Sequence, residues 1–173
     1  KFSLADELAN ERLTDIDFSV LVSLPNGIDI NEWLASHTVS FFEHVNQLFS
    51  CLAESCRASC AQNSSISYQW VDEKGKKTKY NAPQFVDLLL SSIQKYVEDE
   101  TIFPTKYGNK FPQTFEAIIR KVHCRLQQII NHIYQYHMKS VMQLQLTACL
   151  NTTLLHFRQF NDNFHLLTSS STS

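Results

Sequence analysis

Leu34, Thr38, Phe41, Val45, Leu48 and Leu52 follow one another at steps of four, three, four, three and four. That is the period of an α-helix buried along one face, and a stripe this long restricts the chain to folds built round a long helix. The residues just before it supply a start signal. In Asp29-Ile-Asn-Glu32 the aspartate is placed to accept orphan backbone donors and Glu32 to reach back, while Ile28 can staple onto Trp33. Only three glycines and four prolines punctuate 173 residues, so long helices with few tight turns are expected.

Three more helices are predicted on the same grounds. The second opens at Asn81 with Pro83 in its first turn and carries Phe85, Leu88, Leu89, Ile93, Tyr96 and Val97. It runs into Glu98-Asp-Glu100, whose carboxylates oppose the dipole of a helix C-terminus, so this cluster belongs past the helix end or is kept for binding. The third spans about Thr114 to His132, with Phe115, Ile118, Ile119, Val122, Leu126, Ile129, Ile130 and Ile133 inward. The fourth runs from about Lys139 to Phe160. Between the first two, Tyr68-Gln-Trp-Val71 and Thr78-Lys-Tyr80 flank a polar segment containing Gly75, which reads as a small β-hairpin. Phe103 to Pro112 holds two prolines and a glycine and reads as an ordered loop. The expected fold class is all-α, a helical bundle with one hairpin.

A hydrophobic fraction of 43% suffices for one domain with its own core. Residues 1–167 are assigned to it, with 1–22 as an N-terminal extension and the Ser/Thr stretch 168–173 as a disordered tail. Five cysteines, an odd count at irregular spacing, indicate a reducing compartment, and a cytoplasmic protein with nuclear access is expected. The early apolar run Phe18 to Leu24 is broken by Ser19 and Ser23 and reads as neither signal peptide nor membrane span. A net charge of −2 gives no global attraction to nucleic acid, so electrostatic recognition must come from a local patch.

Two pairs carry candidate chemistry: Cys56 with Cys60, and His132 with His137. Together they have the composition of a closed Cys₂His₂ zinc site, which keeps no open position for a reacting water. Five residues at about 100° each separate the histidines by roughly 140° on an ideal helix, so one of them lies past a helix end or the helix bends there. Spacing alone leaves two readings open. Cys51, Cys124, Cys149, His123 and His156 allow other pairings, and buried thiols with helix-face histidines are common in reduced proteins. A catalytic zinc hydrolase is the rival from another class, yet no carboxylate stands at general-base spacing beside either pair.

Several motifs together resemble the Mob (Mps one binder) family of kinase co-activators. They are Leu24-Pro with Asp29-Ile-Asn-Glu-Trp33, Ala82-Pro-Gln-Phe-Val-Asp87, Phe103-Pro-Thr-Lys-Tyr-Gly108 with Phe111-Pro112, His132-Ile-Tyr with His137, and Leu150-Asn-Thr152 with His156-Phe157. Leu13-Thr-Asp-Ile-Asp-Phe18, Asn31-Glu-Trp-Leu-Ala-Ser36 and Asp72-Glu-Lys-Gly-Lys-Lys77 look like the second Mob subgroup, whose partners are NDR-type kinases. The resemblance spans roughly residues 13–166. It implies a helical bundle without enzymatic activity, monomeric when free, and a structural zinc held by Cys56, Cys60, His132 and His137. It also implies a surface for the basic N-terminal region of the kinase, carried here by Asp29, Glu32, Trp33, Val39, His44, Leu48, Leu144, Gln145 and His156. The same fold in another signalling assembly, without kinase activation, is the alternative.

Departures from the family pattern are specific. Three residues separate the cysteines where the family has four, and the family's C-terminal helix is replaced by Leu166-Leu-Thr-Ser-Ser-Ser, as in a divergent or truncated member. Members that dock phosphopeptides carry three basic residues before the first zinc histidine. Here those positions are Cys124, Arg125 and Gln128, and one charge of three predicts no phosphopeptide docking. Ile28 stands at a family acidic position and Ser40 at that of an aspartate linked with Lats/Warts kinase binding, and both losses favour NDR-type over Lats-type partners.

Overall fold

The computed structural model describes residues 10–167. The expected disordered tail, 168–173, and the first nine residues of the expected N-terminal extension lie outside them. The rest of that extension is packed on the body. Its short helix α1 (Phe18–Leu21) is capped by Asp17, which accepts from the Ser19 backbone and hydroxyl at 2.9 and 2.6 Å. Phe18 and Val22 are buried, and Leu13 N–H donates to Thr152 Oγ1 at 2.9 Å.

The central element is α2 (Ile30–Cys60), 31 residues long. Asp29 caps it, accepting from Asn31 N–H and Glu32 N–H. The predicted stripe faces inward, with Leu34, Thr38, Phe41, Val45, Leu48 and Leu52 all buried, and Cys56 and Cys60 extend it at steps of four. Strands β1 (Ser67–Val71) and β2 (Lys77–Asn81) pair antiparallel, Trp70 opposite Thr78. The hairpin closes where Asp72 Oδ1 accepts from Lys74 and Lys76 N–H, with Gly75 at a φ of 77°, the left-handed region that favours glycine. Helix α3 (Ala82–Val97) starts as expected, with Asn81 accepting from Gln84 N–H. The acidic cluster lies past its end, where Asp99 accepts from Thr101 and Glu100 from Thr105, shaping the turn into the proline loop.

Helix α4 (Phe115–Tyr136) runs four residues beyond the predicted end. The expected fourth helix is two: α5 (Met138–Gln143) and α6 (Thr147–Phe164). The break is a Schellman turn, in which Leu146 N–H bonds to Val141 O and Gln145 N–H to Met142 O, with Gln145 at a φ of 56°. His165, at a φ of 52°, ends α6 in the same way. Neither stop carries the glycine that announces this motif in a sequence.

Helix α2 packs on α3, α4 and α6, and a polar bridge is buried within their largely apolar contact. His123 on α4 is fully buried. Its Nδ1 lies 2.8 Å from Asn161 Oδ1 on α6, and its Nε2 lies 2.9 Å from Thr38 Oγ1 on α2. Asn161 donates its amide to Phe157 O at 2.6 Å, so its oxygen faces the ring, Nδ1–H donates to it, and the threonine hydroxyl donates to Nε2. The neutral ring satisfies three helices at once. Burial, opposed by the Asn161 bond, pushes the His123 pKa down to about 4. The unfolded chain therefore takes up this proton first as pH falls. The contribution of His123 to stability is complete above about pH 6.5 and is lost from there towards about pH 4. The slope is up to about 1.4 kcal/mol per pH unit. Urea melts at pH 7 and pH 5 should show this loss, and His123→Gln should flatten that part of the profile; an equally steep profile in the variant would exclude His123 as its source.

Candidate functional site

Cys56 and Cys60 occupy the last two turns of α2. Four residues turn a helix through about 400°, so the two thiols share a face, and the spacing of three intervening residues is the one a helix needs. His132 lies in the last turn of α4, and His137 is the junction residue between α4 and α5, with φ −122° and ψ 7°. The backbone leaves the helix there, which brings back the ring that an ideal helix would point away. This is the bend that the histidine spacing required.

All four side chains are buried and their ligating atoms lie within 4.8 Å of one another. Cys56 Sγ is 3.4 Å from His132 Nε2, Cys60 Sγ is 3.7 Å from His137 Nε2, and the two Nε2 atoms are 3.0 Å apart. Tetrahedral zinc with bonds of about 2.0–2.3 Å has ligand-to-ligand edges of about 3.3–3.8 Å, so the donor set and its spacing fit a zinc site. Burial, reinforced by the neighbouring Cys60, pushes the Cys56 thiol up to about 12, and burial with His137 nearby pushes His132 down to about 4. The imidazoles are thus held neutral, the form that ligates, while a bound dication would reverse the preference of the thiols and make them thiolates. Tyr68, on β1, places its hydroxyl 2.8 Å from His132 Nδ1.

The nine residues expected to meet a kinase fall into separate places. Glu32 and Val39 line a cavity of about 830 Å³ between α2 and the loop Phe103 to Asn109. Glu32 is exposed, and its carboxylate makes none of the reciprocal contact expected of a capping box; Asp29 supplies the cap alone. Trp33 and His44 lie roughly 100–120° round the helix from Glu32. Trp33 is half-buried against His37 and donates Nε1–H to Val22 O at 3.0 Å, whereas Ile28, its expected staple, is largely exposed. His44 is exposed on that side, near enough to His156 to add to its pKa shift. His156 stacks on Phe18 and meets Phe41 edge-on, and its Nε2 is buried without a hydrogen-bond partner; burial above all, then His37 and His44, pushes it down to about 4. Leu48 is part of the core. Leu144 and Gln145 are exposed on the α5–α6 turn.

The sequence pattern of the Mob1/phocein family matches residues 10–173. The chain belongs to the Mob1/phocein family. MOB kinase activator 2 of Mus musculus and of Homo sapiens are each 44% identical, over 100% of this chain and 75% and 74% of their own lengths. MOB kinase activator-like 2 of Drosophila melanogaster is 43% identical over 99% of this chain and 31% of its own length.

Within this Mob1/phocein fold, Arg125 is half-buried with its guanidinium 5.2 Å from the Trp70 ring centre and 5.6 Å from that of Tyr96. Nη1 is buried without a hydrogen-bond partner, and the guanidinium bridges the hairpin and α3 through these two rings. Sequence reasoning passed over Tyr68. Its only signal was the hairpin alternation that turns Tyr68, Trp70, Thr78 and Tyr80 to one face.

A structural zinc contributes on the order of 10 kcal/mol to a small domain, and about 1 kcal/mol moves Tm by roughly 2–4 °C at this size. Stripping metal with a chelator should therefore lower Tm by more than about 10 °C, and Cys60→Ser should bind less than one ion per chain by atomic emission. An unchanged Tm in verified metal-free protein would count against the site.

Proposed function

We propose that the protein is a non-catalytic, zinc-stapled adaptor that binds the basic N-terminal regulatory region of an NDR-type serine/threonine kinase. Membership of the Mob1/phocein family and 44% identity to proteins named MOB kinase activator 2 support a kinase co-activator role. The observation that carries the finer reading is the Glu32 carboxylate. It is exposed on the first turn of α2, takes no part in the helix cap, and stands beside the half-buried Trp33. A first-turn carboxylate favours the helix dipole, but with Asp29 capping the backbone its oxygens stay free to orient an Arg-rich segment that an adjacent apolar face then anchors.

Four protein donors close the coordination sphere and leave no position for a reacting water, which speaks against the hydrolase alternative. No helix among the described residues is long and apolar enough to cross a membrane. The working compartment in this proposal is the cytoplasm and nucleus, where an NDR-type kinase and reduced thiols coexist. Activation requires that the adaptor bind one kinase conformation more tightly than the other.

Binding of a purified kinase N-terminal segment, measured by calorimetry, should weaken as salt rises and fall at least about tenfold in Glu32→Lys. Salt-insensitive binding, or an unchanged Glu32→Lys affinity, would remove the kinase assignment and leave the scaffold alternative.

A further inference from the structure

Tyr68 stands outside the four-donor group, on a different element from any ligand. Its ring lies flat on Phe85 of α3, centroids 4.6 Å apart at an interplanar angle of 6°, and edge-on to His132 at 5.8 Å. Tyr80 faces it across the hairpin. Packing on three sides fixes where the hydroxyl sits, so the 2.8 Å contact with His132 Nδ1 is imposed by the fold rather than by a freely rotating side chain.

We propose that Tyr68 is a positioning residue of the metal centre, accepting the Nδ1 proton of His132 and so presenting the Nε2 lone pair to the ion. The inference rests on reading the group as a zinc site. Nε2 is the nitrogen that faces Cys56 Sγ and His137 Nε2. A neutral imidazole carries one proton, and with Nε2 committed to the metal that proton is on Nδ1 and needs an acceptor. Among the hydrogen bonds of the described residues, the Tyr68 hydroxyl is the partner of that nitrogen. Outer partners of this kind set ring orientation and ligand basicity. A phenol does so without adding charge, which suits a centre whose two thiolates already neutralise a dication. The consequence reaches beyond the ring. Tyr68 belongs to β1, so hairpin docking and metal occupancy become one linked equilibrium, each stabilising the other.

The test uses the zinc-loaded full chain and Tyr68→Phe, which keeps the stack on Phe85 and removes only the hydroxyl. Zinc transfer to a colorimetric chelator should be about 10–100-fold faster or tighter-competing chelators correspondingly more effective in the variant. Nitrogen NMR of the wild type should show His132 protonated at Nδ1 and metal-bound through Nε2. Hydrogen exchange across residues 67–81 should lose protection when wild-type metal is removed. Release from a folded Tyr68→Phe within about twofold of wild type, against the larger effect expected of an outer partner, would overturn the proposal. So would His132 ligation through Nδ1, which decides the matter on wild type alone if the variant does not fold. Wild-type protein that takes up no zinc would instead overturn the zinc reading itself; metal-loaded wild type with unchanged release in the variant removes only the role of Tyr68.

Discussion

Two imidazole nitrogens 3.0 Å apart, with two thiols beside them, lie in the interior where α2, α4 and the α4–α5 junction meet. Burial holds both rings neutral, and a cation bound between them would take up both lone pairs and both thiolates at once. The fold has invested heavily in this convergence. Helix α2 is carried on to Cys60, α4 breaks at His137, and the hairpin brings Tyr68 against His132. Together they bring four donors to one point, the arrangement a tetrahedral ion needs.

That constraint explains what was legible in the sequence and what was not. The six-residue stripe of α2 was readable because the apolar period is unbroken to Leu52. Beyond it the stripe continues as Cys56 and Cys60 between Ser55, Arg57 and Ser59, so hydropathy fades while burial does not. Spacing showed that one histidine had to lie past a helix end or at a bend, but the ligand set came from the family resemblance, and nothing in the spacing carried the first helix as far as Cys60. The break between α5 and α6 was hidden for a different reason. A left-handed glutamine closes the turn through local hydrogen bonds, and without the glycine that usually marks this position the sequence carries no signal for it. Tyr68 was hidden because a hairpin face of aromatic residues reads as packing, whatever one hydroxyl touches.

The candidate recognition residues divide along the same line between fold and surface. Asp29 caps, Trp33 ties down the segment before α2, Leu48 fills the core, and His156 stacks under Phe18. Replacing any of these disturbs the scaffold first; loss of an N-cap alone costs about 1 kcal/mol. Glu32, His44 and Leu144 are exposed and carry no such burden, so their side chains are the ones through which recognition can be separated from stability, whereas exposed Gln145 also closes the α5–α6 turn.

Helix α2 carries both ends of the molecule's chemistry. From Glu32 to Cys56 it advances 24 residues, about 36 Å at the usual rise of about 1.5 Å. Charges that far apart are screened, because the Debye length at physiological salt is about 8 Å. A metal ion held by the cysteines and histidines would therefore not tune, by its field, the basic partner proposed at Glu32. Its influence would travel as rigidity, through the anchoring of α2 at its C-terminal turns against α4 and the hairpin. In the proposed arrangement the ion would set whether the recognition face exists as a fixed surface, and the side chains of that face would set what binds to it.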